Sequence, residues 1–117
     1  MCSEELLELA QGSLEDMKAR DLRVFDVRAL TTVTDFMLIV SGTSDRHVRS
    51  MADSLVESVK QAGKMPLGIE GKEAGEWVLI DLNDIVVHVM HPRTREFYKL
   101  EDLWTMGTSQ GIGAIGN

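Results

Sequence analysis

Residues 75–90, Gly-Glu-Trp-Val-Leu-Ile-Asp-Leu-Asn-Asp-Ile-Val-Val-His-Val-Met, constrain the fold of this chain more than any other stretch. β-Branched residues fill both arms and turn formers stand between them, so the segment predicts two strands joined by a tight turn. With Leu82 and Asn83 as the loop, Asp81 faces Asp84, Leu79 faces Val86 and Trp77 faces His88. Successive side chains alternate between the two faces of a strand. One face then carries Val78, Ile80, Ile85, Val87 and Val89 and belongs to a core. The other carries Trp77, Leu79, Asp81, Asp84, Val86, His88 and Met90. That second face is apolar enough to need cover and acidic enough to select it. Its cover is either a second layer of the same chain or a partner.

A core for this hairpin has to come from the rest of the 117 residues, which suffice for one domain. A hydrophobic fraction of 44% beside 26% charged residues excludes a disordered chain. The single cysteine, Cys2, excludes an internal disulfide and suits a reducing compartment. No apolar run reaches the roughly 20 residues that span a bilayer, and the acidic N-terminus is unlike a secretory signal. The expectation is a cytoplasmic protein without membrane contact. Net charge is −7, concentrated in residues 3–21 and 66–91, where the hairpin's acids are offset by Lys72 alone. Acidic surface repels a phosphate backbone, so little or no direct nucleic-acid binding is expected, and a basic protein partner is favoured.

Around the hairpin the pattern is α/β. Residues 3–20 predict a helix capped by Ser3, with Leu6, Leu7, Ala10, Leu14 and Met17 on one face and Lys18 and Arg20 at its end. Residues 22–27 read as a short strand. Residues 35–40 form an apolar run suited to the middle of a sheet covered on both sides. Ser41-Gly42-Thr43-Ser44 leads into a helix over 45–62, whose stripe is Val48, Met51, Ala52, Leu55, Val56 and Val59, with Gly63 at its end. Residues 64–74 read as a loop, and Pro92 opens a short helix. Leu100, Leu103 and Trp104 are expected to dock on the body, and the glycine-rich residues 105–117 to form a flexible tail outside a single domain of residues 1–104. The fold class is a small mixed β-sheet with flanking helices.

Catalytic chemistry finds weak support. Asp81, Asp84 and His88 share a face, but four residues of strand put His88 about 13 Å from Asp84, too far for one metal. Ser41–Ser44 lacks the lysine of a phosphate-binding loop and serves more readily as a helix cap. Cys2 has no evident histidine partner. No catalytic residue, cofactor or metal is assigned.

Several motifs, in order, carry a resemblance. They are Asp35-Phe36-Met37, residues 41–48 (Ser-Gly-Thr-Ser-Asp-Arg-His-Val), Glu70-Gly71, residues 75–81, residues 86–89 (Val-Val-His-Val), Arg95, Tyr98, and residues 100–104 (Leu-Glu-Asp-Leu-Trp). Together they closely resemble the ribosomal silencing factor (RsfS, Iojap-like) family from about Ser3 to Trp104. Met90 and Leu82 stand where the family more often has aromatic residues. The resemblance implies a nucleotidyltransferase-like fold without catalytic carboxylates. It implies binding to the large ribosomal subunit through its fourteenth protein (uL-fourteen), on the face that meets the small subunit, which blocks subunit joining and represses translation when nutrients are short. The expected partner-binding residues are Glu70, Trp77, Leu79, Asp81, His88 and Met90. A homodimer in the free state is compatible with the same face. The competing reading is a metal-dependent nucleotidyltransferase of that fold, which would need carboxylates gathered beside the Ser41–Ser44 loop.

Overall fold

A computed structural model describes residues 2–100 and 102. The chain runs α1 (Ser3–Asp16), β1 (Arg20–Asp26), β2 (Phe36–Ser41), α2 (Asp45–Gln61), β3 (Gly68–Glu70), β4 (Trp77–Asp81), β5 (Ile85–Met90) and α3 (Pro92–Tyr98). The strands form one sheet in the order β1-β2-β5-β4-β3. Only β2 and β5 run parallel; the other neighbours are antiparallel. This is the mixed sheet with flanking helices that the residue pattern predicts.

The burial of β2 follows from its place. All six of its residues are buried, because strands lie on both sides and side chains cover both faces. On one face Phe36, Leu38 and Val40 join Val78, Ile80, Ile85, Val87 and Val89 beneath Leu6, Ala10 and Leu14 of α1 and Val48, Met51, Leu55 and Val59 of α2. On the other, Met37 and Ile39 pack with Val27 and Met90, flanked by Phe25, Leu30, Trp77, Val86 and Leu100. The hairpin's aliphatic face is therefore the main core, as its alternation requires.

Beside end shifts of one or two residues in β1, β2 and α2, four larger differences from expectation stand out. The N-cap of α1 is Cys2, not Ser3, because Glu5 reaches back to accept from the Cys2 N–H at 3.0 Å. The helix also stops at Asp16, so Lys18 and Arg20 do not belong to it. Lys18 takes a left-handed conformation (φ 62°), its N–H donates to Glu15 O, and the Ala19 N–H donates to Leu14 O. That pair of bonds satisfies the last carbonyls of the helix, and a lysine fills the position usually given to glycine. Residues 64–74 are not all loop, since β3 adds a three-residue edge strand to β4.

The fourth difference is the hairpin register. Leu79 pairs with His88, Asp81 with Val86 and Trp77 with Met90, a shift of two residues from the expected pairing. The turn closes with the Leu82 N–H donating to Ile85 O at 2.9 Å, so the loop is Asn83-Asp84. Asn83 has φ 75°, which asparagine tolerates better than leucine. A two-residue shift conserves which side chain points to which face, and the assignment of the two faces stands. Leu103 and Trp104, expected to dock, and the 105–117 tail lie outside the described residues.

Candidate partner-binding face

The face opposite the helices is read best across the strands. One row runs Arg23, Ile39, His88, Leu79, Glu70; the next runs Phe25, Met37, Val86, Asp81, Gly68. Val27, Leu30 and Leu100 pack with Met37 and Ile39 of β2 and Met90 of β5, while β1 has no buried residue. Toward β4 and β3 the face opens. Trp77, Leu79, Asp81 and Val86 are half-buried there, and Glu70 is exposed. Of the six expected contact residues, Glu70, Trp77, Leu79 and Asp81 share this open half.

His88 and Met90 do not. Met90 has no exposed surface and lies in the second core cluster with Val27, Met37 and Ile39. It sits under the face because β5 is an interior strand, and Leu100 and Trp77 pack against the cluster that holds it. His88 is 6% exposed. Its Nδ1 accepts a hydrogen bond from Trp77 Nε1 at 2.9 Å, reaching diagonally across the β4–β5 pair. Both residues support the face from below instead of forming its surface.

That bond fixes the chemistry of His88. Accepting at Nδ1 places the proton of the neutral ring on Nε2. Burial pushes its pKa down to about 4, so the imidazole is neutral at physiological pH. Trp77 is held from a second side by Tyr98, whose ring centroid lies 4.9 Å away at 49°. Tyr98 in turn meets Phe97 edge-on, also at 4.9 Å. Both α3 aromatics are substantially exposed, at 55% and 77%. The cluster Trp77–Tyr98–Phe97 therefore extends the apolar surface of the open face. Reading the strands alone misses Tyr98 and Phe97, although adjacent aromatics in a helix just after β5 are a visible sign of a second apolar surface.

The acids on the face do more than add charge. Asp81 Oδ1 accepts the Asn83 N–H at 2.9 Å, which holds the hairpin turn. Lys72, the cation nearest in sequence, forms an ion pair with Asp53 of α2, and Glu70, Glu73 and Glu76 remain exposed around the β3–β4 connection. Gly71 shapes that connection. It has φ 82°, and a Cβ there would come within 2.1 Å of Trp77 O, so only glycine allows the chain to turn so close to the start of β4.

The loop after β2 spends its polar groups internally. Ser44 Oγ accepts from the His47 N–H at 3.1 Å, the Thr43 N–H donates to His47 Nδ1 at 2.9 Å, and Ser41 Oγ accepts from Arg95 Nη1 at 2.9 Å. Among the described residues no three His, Cys, Asp or Glu side chains are grouped to hold a metal ion. No helix among them is long and apolar enough to cross a membrane.

Comparison with known proteins identifies relatives of the whole chain. Residues 2–114 match the family model described as "Ribosomal silencing factor during starvation", a match that continues past Trp104. The chain is 43% identical over 101 residues to the ribosomal silencing factor RsfS of Chromobacterium violaceum, covering 86% of this chain and 83% of that one. A crystal structure of a Chromobacterium violaceum protein superimposes with a TM-score of 0.88 at 42% identity, covering 90% of this chain and 88% of the other. This chain is also 38% identical over 103 residues to a mouse protein named for mitochondrial assembly of the ribosomal large subunit, covering 86% of this chain and 45% of that longer one.

Proposed function

The chain belongs to the ribosomal silencing factor family, and from that premise we propose that its open sheet face docks on the large ribosomal subunit through the fourteenth protein of that subunit. Bound there, it occupies surface needed by the small subunit, prevents the two from joining and represses translation when nutrients are limiting. The role is one of occlusion, carried out in the cytoplasm without catalysis or cofactor. The observation that carries this reading is the half-buried Trp77, framed by Leu79 and Tyr98 and bordered by Glu70 and Asp81. A large ring beside aliphatic surface fills a pocket in a partner, and truncating such anchors costs about 2–4 kcal/mol. The acids around it suit a basic protein, as proteins that hold ribosomal RNA commonly are.

The test is sedimentation of purified large subunits with the protein, followed by addition of small subunits. The protein should travel with large subunits and reduce the fraction of joined particles, and Trp77→Ala should lose both effects when assayed well below its own melting temperature. A protein that remains at the top of the gradient, or that binds without reducing joining, contradicts the proposal.

A further inference from the structure

We infer that His88 is a positioning residue for partner binding: it holds the Trp77 ring in a binding-ready orientation together with Tyr98, and does not itself contact the partner. The inference rests on the proposed role of the open face and deepens it. Four observations converge on it. The Trp77 Nε1–H donates at 2.9 Å to Nδ1 of His88, a histidine that is almost fully buried. Tyr98 packs on the indole from α3, and Met90 stands opposite Trp77 in the strand pairing and packs in the cluster it borders. α3 is itself tied to the sheet by the buried Arg95, whose Nη1 donates to Ser41 Oγ at 2.9 Å on β2.

An indole on an open sheet face would otherwise sample several rotamers and lose that freedom on binding. A ring already fixed by a hydrogen bond at one end and an aromatic contact loses less, which strengthens association without any added contact. At 6% exposed, His88 offers a partner almost no surface of its own. A hydrogen bond of this kind carries a net effect that converts to about a three- to tenfold change in affinity.

The experiment measures affinity for isolated large ribosomal subunits and the indole N–H signal of Trp77 by NMR, in wild type, His88→Leu, His88→Gln, Trp77→Ala and the His88→Leu/Trp77→Ala double variant. His88→Leu should shift the indole signal and weaken binding about three- to tenfold at a temperature well below its melting point. His88→Gln, which keeps an acceptor, should recover most of the loss. In the Trp77→Ala background His88→Leu should cost nothing further. Wild-type affinity for His88→Leu, or a loss that adds fully to that of Trp77→Ala, overturns the inference and leaves the face intact. Wild-type affinity for Trp77→Ala overturns the face and the inference together. If His88→Leu fails to fold, Trp77→Phe keeps a ring and removes the donor, and undiminished binding by that variant is equally contrary.

Discussion

His88 shows how a single side chain can be placed correctly and still be misread. Alternation along β5 assigns it to the face away from the helices, and that is where it lies. Alternation says nothing about what covers a side chain, and this one is almost fully buried with Trp77 hydrogen-bonded to it. The same holds for Met90, which points to the expected side and is wholly enclosed. The buried imidazole also has a measurable consequence. Its pKa falls to about 4 in the folded protein, below the ordinary 6.5, so on acidification the unfolded chain takes up this proton first. The stability it contributes is complete above about pH 6.5 and is lost as pH falls toward 4, a change on the order of 3 kcal/mol. Melting temperatures of wild type and His88→Gln should therefore converge as pH drops from 7 to 4.5. A constant difference across that range would mean that His88 titrates normally.

Elements were legible where periodicity is long and their ends were legible where a residue type announces them. The helical stripe over α2 and its Gly63 terminus reproduce closely: Val48, Met51, Leu55 and Val59 are fully buried, and Gly63 is left-handed. Replacing Leu55 by Ala should cost about 2–5 kcal/mol, read from denaturant unfolding; wild-type stability would mean that the α2 face is not core. The end of α1 was hidden because Lys18 does the work of a glycine. Lys18→Gly should therefore raise stability by about 0.5–1 kcal/mol, since it removes the left-handed penalty of an L-residue. A fall in stability would contradict the turn described there. The hairpin register is not legible in the sequence, because Leu82-Asn83 and Asn83-Asp84 both suit a two-residue loop and only the left-handed Asn83 at the first position distinguishes them. β3 has three residues, one of them glycine, which is too short for alternation to register.

Across the whole molecule two faces compete for the role of contact surface, and the chain covers them unequally. α1 and α2 close one, while on the other Met37, Ile39, His88 and Met90 of the central strands are buried and β4 and β3 are more open. Family membership was legible from motifs spread along the chain, because they are specific and in order. The open half of the face was not, since it depends on where Leu100 and α3 return to the sheet. With a net charge of −7 and exposed acids around β3, affinity for large subunits should fall as salt rises to physiological strength, where the screening length is about 8 Å. Glu70→Lys should flatten that dependence. Affinity that ignores salt would leave recognition to Trp77, Leu79 and Tyr98.

The most direct measurement compares one substitution on each face. Leu79→Lys alters the half-buried centre of the open face, and Glu57→Lys alters the exposed side of α2. With both variants folded, the dissociation constant for isolated large subunits should rise at least about tenfold for Leu79→Lys, as expected on losing a central apolar contact, and stay at the wild-type value for Glu57→Lys. Wild-type affinity in Leu79→Lys, with the loss appearing in Glu57→Lys, would put the partner on the helical side and contradict the account.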